Sequence, residues 1–159
     1  MGCHKPVLIA WVLAWLAPAA LAACQENTVD LKGDWGQARF AIEVADDPEE
    51  RNRGLMFVEE MPTMSGMLFI YERPQFASFW MKNTLIPLDM IFVDVTGTVQ
   101  HVHANAVPHD ETPIPGGDDI FAVLEINGGM SQRLGIAPGT VLRHPAFEAQ
   151  TPAWPCVAQ

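Results

Sequence analysis

Positive charge is scarce in this chain. Nine Lys and Arg stand against nineteen Asp and Glu over 159 residues, a formal net charge of −10 at pH 7. An acidic surface repels nucleic-acid phosphates and anionic lipid, so neither is an expected partner. The acids form no long run and read as a well-solvated surface. Apolar length is scarce too. Val7–Leu16 is too short for a comfortable membrane span, and no transmembrane segment is expected after it. Beyond that run there is no G-x-S-x-G and no free Cys near a His, so the usual nucleophile arrangements are missing. Internal repeats and domain linkers are also absent. At this length the chain reads as one domain with a proper core.

Lys5 is the only charged side chain before Glu26, and Pro18–Ala23 ends in small residues. With Val7–Leu16 between them, residues 1–23 have the layout of a secretory signal peptide. Cys24 and Cys156 then remain, one near each end. An even count in an exported protein predicts a disulfide. Leu21–Cys24 also resembles a lipobox, in which Cys24 would carry a lipid anchor. That alternative leaves Cys156 an odd thiol, so the bridge is the preferred reading. The expected location is periplasmic or secreted.

The chain is organised around Gly66–Asp94. It holds three apolar runs, Met67–Tyr71, Ala77–Met81 and Met90–Val93. Their Phe, Ile, Val, Tyr and Trp suit a pleated, half-buried surface. Arg73-Pro74 and Pro87 punctuate them, since Pro cannot donate to a ladder. The order predicted is strand, turn, strand, polar loop, strand. Upstream, Gln37–Ala45 alternates like a half-buried strand. The polar lead-in, residues 24–36, has room for a short strand at Thr28–Leu31. Asp47-Pro48-Glu49-Glu50 opens a helix with a cap, an N-terminal Pro and a capping-box Glu, and Gly54 stops it. Glu49 and Arg53 are four apart on it. Downstream, Thr98–Val107 pairs back on Met90–Val93, and Pro108–Asp119 is a surface loop. Ile120–Ile126 is a strand, Asn127–Leu134 a second short helix, and Val141–Arg143 a last strand. Residues 144–159 form an irregular tail. The pattern predicts a mainly β domain over residues 37–143, a sandwich or barrel with two short helices.

Five motifs stand in a fixed order. They are Arg53-Gly54-Leu55-Met56, Gly66-Met67-Leu68-Phe69, Phe79–Thr84, Pro87-Leu88-Asp89 and Ile91-Phe92. In order and spacing they resemble the "domain of unknown function 192" family, from about Gln37 to Arg143. The resemblance implies a single jelly-roll-like β fold in small bacterial and archaeal proteins that are often exported. It implies no activity, because the family has no established catalytic residues. Members often place an arginine just after Gly-Leu-Met. Val58 stands there in this chain, a departure that weighs against an anionic ligand.

Trp80, Lys82, Asn83, Thr84 and Asp89 form the leading candidate site. A loop between buried strands positions polar groups rigidly. Lys82 and Asp89 are expected to pair, Asn83 to bond backbone or ligand, and Trp80 to offer a flat platform with one donor. All are expected on one concave edge, suited to a neutral polar ligand such as a sugar or peptide. The competing reading makes Asn83 and Thr84 turn scaffold and Lys82–Asp89 a structural ion pair.

His101 and His103 share a strand face, about 7 Å apart. An H-x-H pair resembles the metal-binding cupins and so allows a metal-dependent hydrolase or isomerase. The carboxylate that pattern needs does not follow, and His109 and Glu111 complete a site only if their loop folds back. Met56, Met61, Met64 and Met67 are soft ligands for copper(I), though gap-filling in a core explains them better. Among acids in apolar strands, Glu43 is expected to face solvent. Alternation allows Glu125 to face solvent too, but between Leu124 and Ile126 it is the better candidate of the two for a buried acid, where a raised pKa would mark a site.

The function expected is a non-enzymatic, exported β domain, without a cofactor. It would bind a polar small molecule, glycan or envelope protein at the Trp80–Asp89 edge. The alternatives are the His101/His103 metalloenzyme and a structural envelope component. The processed protein should begin at Ala23 or Cys24 and be found outside the cytoplasm. N-terminal mass analysis of the native product checks this, and retention of Met1 or acylation of Cys24 would contradict it.

Overall fold

The computed structural model describes Met1 and residues 24–156. Apart from Met1, the expected signal peptide lies outside the described residues. Seven strands are present: β1 (Thr28–Gly33), β2 (Gly36–Ala45), β3 (Ser65–Phe79), β4 (Leu88–Val93), β5 (Val99–Ala106), β6 (Ile114–Asn127) and β7 (Val141–Arg143). Two short helices, α1 (Pro48–Arg53) and α2 (Met130–Leu134), and a 3-10 turn at Pro145–Phe147 complete the described elements. The strands form one sheet in the order β5-β4-β6-β3-β2-β1-β7. All neighbours are antiparallel except β2 and β3, which are joined by a crossover through α1. A bridge between Thr98 and Val141 brings β7 to the start of β5 and curls the sheet into a half-barrel. The fold is mainly β with two short helices, as the sequence predicted.

Helix α1 forms for the reasons read from its sequence. The Asp47 side chain accepts from the Glu50 N–H at 2.8 Å, and Glu50 Oε2 accepts from the Asp46 N–H at 3.3 Å. Gly54 closes it at φ 47°, a conformation open to glycine. No α1 residue is buried, so the helix is held by what it joins. Leu55, just beyond it, is buried in the core.

Two expectations are corrected. Met67–Tyr71 and Ala77–Met81 do not form two strands; one long strand, β3, runs to Phe79 and leaves Met81 outside. Its pairing with β6 skips register between Ile70 and Phe79, and the exposed Arg73-Pro74 falls in that break. A bulge tolerates Pro because no ladder bond is required there. The loop expected at Pro108–Asp119 ends earlier, because β6 begins at Ile114. Gly116 belongs to the strand for a steric reason. A Cβ on it would lie 1.9 Å from the Phe92 ring.

The sheet carries an apolar cluster on each face. One gathers Val29, Leu31, Phe40, Leu68, Ile91, Leu124 and Phe147. The other gathers Leu55, Phe69, Met81, Met90, Phe92 and Val123. The lead-in and the tail are therefore structural. Strand β1 pairs on both sides, and Phe147 is fully buried. Asp30 on β1 receives Arg39 Nε at 2.6 Å and Arg143 Nη2 at 2.7 Å. Burial works to raise its pKa, but those guanidinium bonds prevail and hold it below the usual carboxylate value. Further along the tail, Lys32 Nζ and Arg143 Cζ lie 4.4 and 4.3 Å from the Trp154 ring.

Cys24 and Cys156 form a disulfide across 132 residues of sequence, with Cα atoms 5.3 Å apart. It closes nearly the whole domain into one loop. Replacing both by Ser should lower stability by about 4–5 kcal/mol on the chain-entropy account. Urea melts of Cys24→Ser/Cys156→Ser against the unreduced protein measure this. Equal midpoints would show that the bridge contributes nothing.

Candidate functional site

The 81–87 connection is held from two sides. The Met81 N–H donates to Asp110 O at 2.8 Å and the His109 N–H to Thr84 O at 3.2 Å. From the other side, the Phe57 N–H donates to Asn83 O at 2.9 Å. Asn83 sits at φ 55°, a left-handed conformation that Asn tolerates better than most residues. Its Nδ2 lies 3.8 Å from Met56 Sδ. Asn83 therefore serves the connection itself.

Asp89 is not on the exposed edge and does not pair with Lys82. It is fully buried. Its Oδ1 accepts from the Asn105 and Gly129 N–H groups, both at 2.8 Å, and its Oδ2 from Ser131 N–H at 2.7 Å. Alternation explains the placement: Leu88 and Met90 point into one apolar cluster, so Asp89 points to the other face, towards the start of α2. Three backbone donors satisfy a buried carboxylate. The carboxylate ties β4, β5 and α2 together.

Trp80, Lys82 and Thr84 stand together. They line a cavity of about 480 Å³ between α1 with its following loop and the end of β3. Lys82 Nζ stands 5.0 Å from the centre of the Trp80 ring, which is 47% exposed. Phe69, Phe79 and Tyr71 supply apolar wall, and Phe79 meets Phe69 edge-on at 5.1 Å. Arg51 stiffens the wall. Its Nη1 donates to Ile70 O at 2.8 Å and to Asp46 O, and its Nη2 meets Glu72 at 2.8 Å. Arg53 also lines the cavity. Among the described residues, neither Arg53 nor Lys82 makes a salt bridge.

Glu125 is the acid in this lining, and it is 4% exposed. It stands opposite Met67 on β3 and Met90 on β4. No hydrogen bond reaches its carboxyl among the described residues. Burial alone pushes its pKa up to about 8, so at neutral pH it is mostly a neutral acid with a proton to donate. Tyr71 is shifted upward as well, first by burial, with Glu125 adding to it and Arg51 opposing. The wall thus presents aromatic faces, a hydroxyl, two cations without a salt bridge and an uncharged carboxyl donor.

Sequence reasoning singled out Glu125 as a buried acid but did not place it with Trp80 and Lys82. The β3–β6 and β4–β6 registers that bring them together are not local information. Arg53 was read as a helix partner of Glu49, and Arg51 and Tyr71 carried no signal.

His101 stacks on Phe92, ring centres 5.7 Å apart, and both imidazoles lie on β5 at the sheet edge. His109 and Glu111 are exposed on the following loop. Among the described residues, no three or more His, Cys, Asp or Glu are grouped to hold a metal ion. Met56, Met61 and Met67 line a second cavity of about 560 Å³ beside the first, as do Val58 and three glutamates, Glu43, Glu50 and Glu60. Met64 is exposed.

Residues 29–144 match the family model DUF192, "Uncharacterized ACR". No curated protein matches the sequence. A crystal structure of a protein of unknown function from Novosphingobium aromaticivorans DSM 12444 is similar at 47% identity and TM-score 0.71, covering 72% of this chain and 82% of that one. A second, from Sinorhizobium meliloti 1021 and described as a "putative transcription regulator", is similar at 38% identity and TM-score 0.72, covering 76% of this chain and 95% of that one.

The pKa of Glu125 has a consequence for stability. Its folded value lies above the unfolded one, 4.5, so its contribution is intact below that pH and is lost as pH rises through about 8. Relative to Glu125→Gln, the wild-type protein should lose on the order of 3–5 kcal/mol between those limits. Denaturant melts of both proteins across that range check it. Parallel pH profiles would mean that the carboxyl is charged or hydrated in the folded state.

Proposed function

The chain belongs to the DUF192 family, and on that premise we propose that it is a non-enzymatic binding domain for a polar small molecule or glycan, held in the cleft beneath Trp80. The observation that carries this reading is Glu125. Glu125 is 4% exposed, no hydrogen bond reaches its carboxyl among the described residues, and burial pushes its pKa up to about 8. A ligand acceptor in the cavity would satisfy it. Trp80 and Tyr71 offer flat faces to a ring, and Lys82 offers further donors. The cavity volume lies in the range of small-molecule sites. Three of the five sequence motifs contribute to its wall, through Arg53–Met56, Phe69, and Phe79, Trp80, Lys82 and Thr84. A single acid in the first cavity's lining does not provide the carboxylate pair of a glycoside hydrolase. This favours binding over hydrolysis.

The setting proposed is outside the cytoplasm. The disulfide supports it, since such bridges persist in oxidising compartments. Among the described residues no helix is long and apolar enough to cross a membrane. The signal-peptide layout of residues 1–23 supports export further.

Trp80→Ala should weaken the bound ligand by about 1–3 kcal/mol and leave the melting temperature nearly unchanged, because the ring is half exposed. Phe92→Ala, a fully buried truncation, should cost roughly 3–5 kcal/mol of stability. Asn83→Ala should destabilise by about 1–2 kcal/mol, through its left-handed backbone, without a specific loss of binding. A screen of glycans, peptidoglycan fragments and small polar molecules, with melts of all three variants, measures this. If Trp80→Ala binds every retained ligand as well as wild type, the cleft is not the site.

A further inference from the structure

We infer that the cleft is built for an anion: a small, oxygen-rich carboxylate such as a sugar acid, its charge at Arg53 and Lys82 and a hydroxyl or carbonyl oxygen at Glu125. This rests on the ligand-binding reading above and specifies its ligand. The first observation is the distribution of charge. Past residue 23 the chain has only eight Lys and Arg, and three of them, Arg51, Arg53 and Lys82, line this one cavity. Arg51 is spent on Glu72 and backbone carbonyls. Arg53 and Lys82 make no salt bridge among the described residues, although the protein carries nineteen acids. In so acidic a chain, two cations beside an open cavity stand out against the surrounding field.

The second observation is independent of the rim. The one acid in this cavity's lining, Glu125, lies buried in the wall between Met67 and Met90, and no hydrogen bond reaches its carboxyl among the described residues. In its neutral form it adds no negative charge to the site and presents a proton to an acceptor. The two ends of the site thus ask for different atoms. A charged oxygen suits the guanidinium and ammonium, and an uncharged oxygen suits the carboxyl donor. An amine would meet two cations and a donor, so cationic ligands are disfavoured at both ends.

The absence of an arginine at Val58 weighed against an anionic ligand in the sequence. Val58 does not line this cavity. It lines the neighbouring one, beside Glu43, Glu50 and Glu60. Arg53 lines both cavities and Lys82 only the first, so the departure bears on the acidic neighbour that shares Arg53 and not on Lys82.

The test uses the intact protein with its disulfide formed. Glucuronate, glucose and glucosamine share one ring and differ in the charge they carry. Each is titrated at millimolar concentration, with calorimetry for affinity and the Trp80 indole resonance for location. Glucuronate should bind at least tenfold more tightly than glucose, and glucosamine more weakly than glucose. Arg53→Gln/Lys82→Met should erase the glucuronate advantage. Glu125→Leu should weaken glucuronate at least tenfold, whereas Glu125→Gln, which keeps a donor, should bind nearly as wild type. Equal or better binding of glucose, with the Trp80 resonance shifted, overturns the anion assignment and leaves the polar-ligand reading standing. A glucuronate preference that survives in Arg53→Gln/Lys82→Met overturns it too. If none of the three sugars shifts the Trp80 resonance, both the assignment and the reading beneath it fall.

Discussion

Ile120–Ile126 of β6 have no face left for water. Strand β3 pairs along one edge and β4 along the other, and an apolar cluster covers each side of the sheet. A strand so enclosed should be apolar at every position, and six of these seven residues are. The fold depends on this strand because it joins the β4–β5 edge to the β3–β2–β1–β7 half of the sheet. The pairing leaves little freedom. A Cβ on Gly66 would come within 2.3 Å of Glu125 O, and one on Gly116 would meet Phe92. β3 and β4 therefore close on β6 only with those two positions bare.

Two acids interrupt this enclosed region, and the sheet treats them in opposite ways. Asp89 faces the side where α2 begins, and three backbone N–H groups converge on it. Its charge is fully compensated, and its role is to hold a helix start and two strands in register. Glu125 faces the other side, among Met67, Met90 and Phe69, where strand backbones have spent their donors on each other. Among the described residues no hydrogen bond reaches its carboxyl, and burial pushes its pKa up to about 8. The same residue chemistry yields a structural clamp in one place and an open demand in the other. Local donor supply makes the difference.

Much of the architecture was legible because it rests on local rules. The α1 cap, the alternation in β2, and β7 all depend on a few adjacent residues. The buried state of Glu125 was legible because Leu124 and Ile126 flank it. What escaped was set by register. A bulge joined two apolar runs into β3, and Pro74 within it read locally as a break. The Lys82–Asp89 pair looked sound in sequence, but strand alternation turned Asp89 to the opposite side of the sheet. Arg53 seemed a helix-surface charge, because the cavity beside it exists only once β3, α1 and β6 are assembled. Site composition was thus half readable: Trp80, Lys82 and Thr84 came from one loop, and Glu125 and Arg53 from tertiary pairing.

The two halves of the molecule divide the work between them. On the side of β1 and β7, charged groups are paired: Asp30 with two arginines, Trp154 with two cations, and Cys24 is joined to Cys156 by the disulfide. On the side of α1, a helix with no buried residue stands over a cavity that contains an unpaired carboxyl. Replacing Glu125 with an apolar residue of similar size would suit the surroundings better, as buried polar groups without partners are costly. A domain whose whole task was to be a scaffold would gain nothing from the mismatch. Under the proposed function two conditions would keep such a mismatch: a surrounding structure that sustains it, and a ligand that completes it. The paired, bridged half provides the first condition, and the cavity beside Trp80 is where the second can be met.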